Sequence, residues 1–164
     1  MVTLRHHMRR ADKEFTEQGK LRKVLRETSY MTLAMAMDGE PYLVSLSHGY
    51  DEDRNCLYFH CASEGKKLEY MRANPVVWGQ VVMDHGYVYG ECTHRYATVM
   101  FRGRVSFIDE PDEKLRALRT MLWQLEPDAD AREKRMSTDG LGTTVFGKVD
   151  IEFMTGKKSQ EIEL

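Results

Sequence analysis

Between Tyr30 and Tyr50 the chain alternates with a period of two. In "YMTLAMAM", Met31, Leu33, Met35 and Met37 are large and apolar, while Thr32, Ala34 and Ala36 are small, as a half-buried strand requires. Asp38-Gly39 follows, a residue pair that favours a two-residue hairpin. The return run "EPYLVSLSHGY" places Tyr42, Val44, Leu46 and Tyr50 on one face and Ser45, Ser47 and Gly49 on the other. Before this hairpin, Phe15, Leu21, Val24 and Leu25 form the apolar stripe of a polar helix over about 12–28. After it, a polar turn, "DEDRN", leads to a short strand, "CLYFH".

A second helix reads from Ser63, a capping residue, to Asn74-Pro75, with Leu68 and Met71 as its stripe. "VVWGQVVM" reads as a strand, and "DHGYVYGECTH" as a loop or hairpin tip. In "RYATVMFRGRVSFI", Ala97, Val99, Phe101, Val105 and Phe107 share one face; Tyr96, Thr98, Arg102 and Arg104 share the other. Asp109-Glu110-Pro111 opens a helix through about Gln124, striped by Leu115, Leu118, Met121 and Leu122. "EPDADAREKRMSTDG" reads as a mobile loop. In the last strand, "TTVFGKVDIEFM", Val145, Val149, Ile151 and Phe153 face one way, and a polar tail follows residue 155.

About six strands, mostly hairpin-joined, with helices inserted between some of them, predict a mainly β fold with flanking helices: a closed or partly closed antiparallel barrel. No repeat or linker divides the 164 residues, so a single domain over 1–164 is expected. A formal charge of −2 argues against a general nucleic-acid binder. No apolar run is long enough for a membrane span, and "MVTLRHHMRRADKEF" lacks a signal core, so a cytoplasmic protein is expected. Three cysteines without framework spacing fit reduced thiols.

One stretch runs against helix electrostatics. Lys66 and Lys67 fall in the first turn of the second helix, where free N–H groups and the dipole are already positive. A helix start is also a ready anion site, and Gly65 lets backbone approach a ligand closely. A bound phosphate would turn two unfavourable lysines into favourable ones. Otherwise both are solvated, at a cost of at most about 1 kcal/mol each.

"PYLVSLSHGYDEDRNCLYFHCASEGKKLEYMRANPVV" resembles the flavin-binding split-barrel family related to pyridoxamine phosphate oxidase, and within it the 5-nitroimidazole resistance branch. The shared features are a strand like "VPLS", a strand ending "YFH", a small-residue turn with Gly-x-Lys, and a helix closing on Asn-Pro. The likeness spans roughly residues 28–155. It implies a six-stranded antiparallel split barrel, two chains paired as a homodimer, and FMN at their interface. It gives Lys66 and Lys67 to the FMN phosphate, with Cys61, Ser63 and Gly65 in the same turn. Val44, Ser45, Leu46 and Ser47 would run past the flavin ring, and Thr98 stands where the family often has serine. His60 matches the family's histidine and is the candidate catalytic residue, as donor to the flavin or to a substrate oxygen. His48 reads as structural or edge-exposed.

The oxidase pattern itself is broken. "LVSLSHGY" holds no lysine or arginine, and the chain ends "GKKSQEIEL" without an arginine-rich substrate motif, which argues against oxidation of pyridoxamine phosphate. Ser45 replaces the branch's proline in "VPLS". The expected function is an FMN-dependent reductase of a small electrophile such as a nitro-aromatic. A haem-binding relative and a non-catalytic FMN module remain open alternatives. "GTTVFGKV" lacks the Ser or Thr of a phosphate loop after Lys148, and "GLG" at 140–142 lacks the third glycine of a dinucleotide turn. Cys92 and His94 with His60 and Cys61 lack metal-site spacing, so no metal is expected.

Overall fold

The computed structural model describes residues 8–134 and 144–164. The strands are β1 (Glu14–Phe15), β2 (Tyr30–Met37), β3 (Glu40–Ser47), β4 (Gly49–Asp51), β5 (Cys56–Cys61), β6 (Val76–Val88), β7 (Thr93–Ile108) and β8 (Val145–Lys158). The helices are α1 (Gln18–Glu27), α2 (Lys66–Ala73), α3 (Pro111–Leu125) and α4 (Ala129–Lys134). The strands form one eight-stranded sheet in the order β3-β2-β6-β7-β8-β5-β4, with β1 beside β8, and every pairing is antiparallel. This is the mainly β architecture with flanking helices that the alternation predicts. Among the described residues, no helix is long and apolar enough to cross a membrane.

The strand count is eight rather than six. One extra strand arises because the run 40–51 changes sheet edge. β3 pairs with β2, the chain turns at fully buried His48, and β4 pairs with β5. The other is β1, which replaces the expected first turns of the N-terminal helix. Phe15 is buried, but over strand Gly156 rather than on a helix stripe: a Cβ there would lie 2.3 Å from the Phe15 ring. Helix α1 therefore starts at Gln18, and its Leu21, Val24 and Leu25 are buried as expected.

Asp38 (φ 52) and Gly39 (φ 84) make the β2–β3 turn, both in the left-handed region that such a hairpin requires. The segment 84–94, expected as a loop or hairpin tip, is the tip of the β6–β7 hairpin, and both strands run well into it. β6 runs to Val88 and β7 starts at Thr93, with an irregularity between Asp84 and Tyr87. The β7–β8 register shifts between Arg102 and Gly103: Gly103 pairs with Ile151 and Arg102 with Phe153. A bulge reverses strand parity. Phe153 therefore leaves the face of Val149 and Ile151 and meets Trp78 on the outer side, with ring centroids 6.4 Å apart. The polar tail begins later than expected, because β8 continues to Lys158 and Ile162 is buried. The stretch expected as a loop after residue 126 contains α4; its residues 135–143, which include most of the "GLG" and phosphate-loop-like glycines, lie outside the described residues.

Inside the curled sheet sits the main core, with Leu21, Leu25, Met31, Leu33, Phe59, Leu68, Met71 and Phe101 among its buried members. A smaller core of Cys56, Tyr58, Ile108, Ala117, Met121 and Phe146 lies under α3.

Candidate functional site

β2 pairs with the full length of β3, from Tyr30↔Ser47 to Met37↔Glu40. On its other side, β3 approaches β5 within 8 Å, Cα to Cα, with no ladder joining the two. Of the residues expected to hold a cofactor, Val44, Ser45, Leu46 and Ser47 lie on β3, and His60 and Cys61 lie at the end of β5, the two strands that flank this gap. On β3, Val44 and Leu46 are half-buried against the core, and Ser45 and Ser47 are exposed. This is the alternation read from the sequence. Ser45 Oγ lies 3.0 Å from Thr32 Oγ1, so its hydroxyl is oriented by β2.

β5 ends at the same gap. His60 is exposed, with its ring 5.9 Å from that of Phe146. Cys61 points the other way and is buried in the main core. Burial pushes the Cys61 thiol up, while the positive charges of Lys67 and Arg72 oppose that shift.

The turn between β5 and α2 carries Ser63, Gly65, Lys66 and Lys67. The cap is not Ser63. Gly65 occupies the N-cap position at φ 130, ψ 161, and no side chain caps the helix. Ser63 stands two residues earlier, outside the cap position whose side chain reaches the N–H groups of the first turn. Leu68 N–H donates to Gly65 O at 2.9 Å. Among the described residues, the Lys66 and Lys67 N–H groups have no such acceptor. Neither lysine joins an ion pair there, either. Lys67 Nζ would lie 3.9 Å from a Cβ built on Gly65, so that ammonium sits beside the bare glycine. Lys66 Nζ sits 4.8 Å from the Tyr42 ring centroid and 5.4 Å from that of Tyr70. Sequence reading missed these two rings, although Lys66 and Tyr70 stand four residues apart on one helix face.

Thr98 does not reach the gap. It lies on β7, separated from β3 by β2 and β6. Its hydroxyl donates to Val81 O at 2.7 Å and accepts from Gln80 Nε2 at 3.0 Å. His48, expected to be structural or edge-exposed, is structural: it is buried, with Nε2 3.0 Å from Leu25 O. Cys92 and His94 sit beside the β6–β7 turn, where His94 Nε2 is 2.7 Å from Asp84 Oδ1, away from His60 and Cys61. Among the described residues, no three His, Cys, Asp or Glu side chains cluster as metal ligands.

A cavity of ≈ 770 Å³ opens elsewhere, between α3 and the β4–β5 turn. Its arginines are already paired: Arg116 Nε lies 2.5 Å from Asp51 Oδ2, Arg119 Nε 2.6 Å from Glu133 Oε1, and Arg26 is bound to Glu52. The lysines of the α2 turn are therefore better placed than this cavity to receive an anion.

The sequence matches the family model for pyridoxamine 5'-phosphate oxidase over residues 17–158, and the chain belongs to that family. No curated protein matches it. Among solved structures, it is similar to a Bacteroides thetaiotaomicron protein assigned to 5-nitroimidazole antibiotic resistance. The two share 25% identity with a TM-score of 0.74, over 93% of this chain and 95% of that one. A FAD-binding protein from Mesorhizobium loti is 27% identical with a TM-score of 0.64, over 88% of this chain and 96% of that one. The flavocytochrome from Azotobacter vinelandii shares the fold, with 18% identity and a TM-score of 0.78, over 97% of this chain and 75% of that one.

Proposed function

We propose that this chain binds FMN at the β3–β5 gap of a split barrel, as a homodimer with the flavin between two copies, and reduces a small electrophile such as a nitro-aromatic. The observation that carries this reading is the α2 turn. Among the described residues, two lysines without carboxylate partners and two N–H groups without acceptors follow a glycine at φ 130, at a helix start. Membership of the family and the likeness to a FAD-binding protein support a flavin as the ligand.

Bound flavin would supply the two-electron chemistry. The chain's part is binding and orientation. Lys67 and the turn N–H groups would hold the phosphate; Gly65 and Ser63 would shape the turn. The exposed Ser45 and Ser47 offer hydroxyls beside β3, and Thr32 fixes the Ser45 hydroxyl. Small side chains there leave room for a flat ring. His60, with Cys61 buried behind it, presents an exposed imidazole that can give a proton to a reduced product oxygen. Pairing of two copies is supported by the outer sheet face, which exposes Tyr30, Leu43, Trp78 and Val82.

An absorption spectrum of freshly purified protein, followed by an FMN fluorescence titration, tests the reading. Flavin bands released on heating, or saturable quenching of added FMN, are expected. A colourless protein that leaves FMN fluorescence unchanged would overturn it. A Soret band would instead favour the haem alternative.

A further inference from the structure

Lys66 and Lys67 are neighbours at one helix start, yet their surroundings differ. The Lys66 ammonium lies at the mouth of a cleft formed by Tyr42 and Tyr70, 4.8 Å and 5.4 Å from their centroids. The two rings are 5.1 Å apart and tilted by 50°. Tyr42 belongs to β3 and Tyr70 to α2, so a single ammonium links the helix start to the strand across the gap. A cation over a ring face is attracted by the ring quadrupole. Among the described residues Lys67 meets no ring; its ammonium lies beside Gly65 and acts on the Cys61 thiol through its charge.

We infer that the basic pair divides its labour: Lys67 faces the anion, and Lys66 is a positioning residue that fastens the turn to β3 through Tyr42 and Tyr70. The part given to Lys67 rests on the flavin reading above; the Lys66–Tyr42–Tyr70 clamp stands without it. Because Lys66 is held by the rings, its effect on a bound phosphate passes through the position of the turn. Replacing Tyr42 should therefore reproduce the loss of Lys66, and arginine at 66 should preserve the clamp, since a guanidinium also stacks on aromatic faces.

The test compares Lys67→Met, Lys66→Met, Lys66→Arg, Tyr42→Leu and the Lys66→Met/Tyr42→Leu pair in the full chain. Thermal midpoints are measured without ligand, and dissociation constants are measured for FMN and for riboflavin, which lacks the phosphate. Lys67→Met is expected to weaken FMN by at least about tenfold, the scale of one charge-assisted hydrogen bond. It should move riboflavin little and leave the midpoint unchanged. Lys66→Met should lower the midpoint and weaken FMN several-fold, and Lys66→Arg should restore both. Tyr42→Leu, which also loses the Tyr70 contact, should lower the midpoint at least as far as Lys66→Met, and Lys66→Met should cost nothing further in the Tyr42→Leu background. The inference is overturned if Lys66→Met and Tyr42→Leu act additively, or if Lys66→Met alone leaves the midpoint unmoved. If wild type binds neither flavin, the flavin reading fails, and the midpoint cycle still decides the clamp. Should Tyr42→Leu not fold, recovery of the midpoint by Lys66→Arg over Lys66→Met decides it.

Discussion

His48 Nε2 donates to the backbone carbonyl of Leu25 at 3.0 Å, and this bond ties the corner between β3 and β4 to helix α1. The ring is fully buried, and among the described residues Nδ1 has no hydrogen-bond partner. Burial pushes the His48 pKa below 6.5, and the Leu25 carbonyl offsets that only in part. The folded chain thus holds the imidazole neutral, while the unfolded chain takes up a proton at its ordinary pKa. Stability from this group is present above about pH 6.5 and is lost as the pH falls toward the lower folded value. Urea midpoints at pH 7.5 and 5.5 should show wild type losing stability with a slope of up to about 1.4 kcal/mol per pH unit. His48→Gln should flatten that slope while lowering stability at pH 7.5. Equal slopes in the two proteins would show that His48 does not govern it.

Three phenylalanines lie flat on glycines of the neighbouring strand. Phe59 is in register with Gly147, Phe101 with Gly79 and Phe15 with Gly156. A Cβ at Gly147 would fall 2.4 Å from Phe59 Cζ, a distance that fully buried Phe59 cannot relieve by turning outward. Overpacking of this kind costs about 1–3 kcal/mol. Gly147→Ala should lower the urea midpoint accordingly without changing the slope of the transition. Gly19→Ala, where a Cβ meets nothing within 4 Å, is the matched control and should be neutral or stabilising.

These glycine contacts also mark where the sequence stopped being legible. The Met31–Met37 alternation, the Asp38-Gly39 turn and the exposed Ser45 and Ser47 follow from local periodicity, and the structure keeps them. The six-strand reading fails where tertiary contacts decide. Phe15 looks like a helix-stripe residue until Gly156 is seen beneath it. Phe153 changes face because of a bulge that no alternation count reveals. At the site, the lysine anomaly pointed to the α2 turn. The capping reading of Ser63 was wrong because glycine at φ 130 delays the helix. The Tyr42–Tyr70 cleft was hidden because Tyr42 reads as a core residue of β3.

The cysteines should separate cleanly by reactivity. Burial drives the Cys56 thiol up to about 11 and raises that of Cys61, whereas Cys92 is exposed beside the β6–β7 turn. A thiol-disulfide dye at pH 8 should therefore report Cys92 rapidly in the native protein, and Cys56 and Cys61 only after denaturation. Cys92→Ser should abolish the fast phase. Fast labelling of Cys61 would mean that the β5 end opens in solution, exposing the floor of the candidate site.

Thr98 separates fold from function most directly. The resemblance expects it at the cofactor, yet in this chain its hydroxyl donates to Val81 O and accepts from Gln80 Nε2. Thr98→Val keeps the shape and removes both bonds, leaving Gln80 free to turn toward solvent and the Val81 carbonyl short of one donor. A loss of about 1 kcal/mol in stability is expected. Since β2 and β6 separate Thr98 from β3 within one chain, Thr98 can meet the proposed interfacial flavin only from the other copy, and unchanged flavin affinity in Thr98→Val is expected if the other copy keeps it away. A drop in flavin affinity larger than the stability loss explains would place Thr98 at the ligand after all. Its route there would be across the outer sheet face, which a second copy could bring against the β3–β5 gap. The same titration, repeated at protein concentrations on either side of dimer dissociation, would then distinguish contact through a partner from a disturbance carried through the sheet.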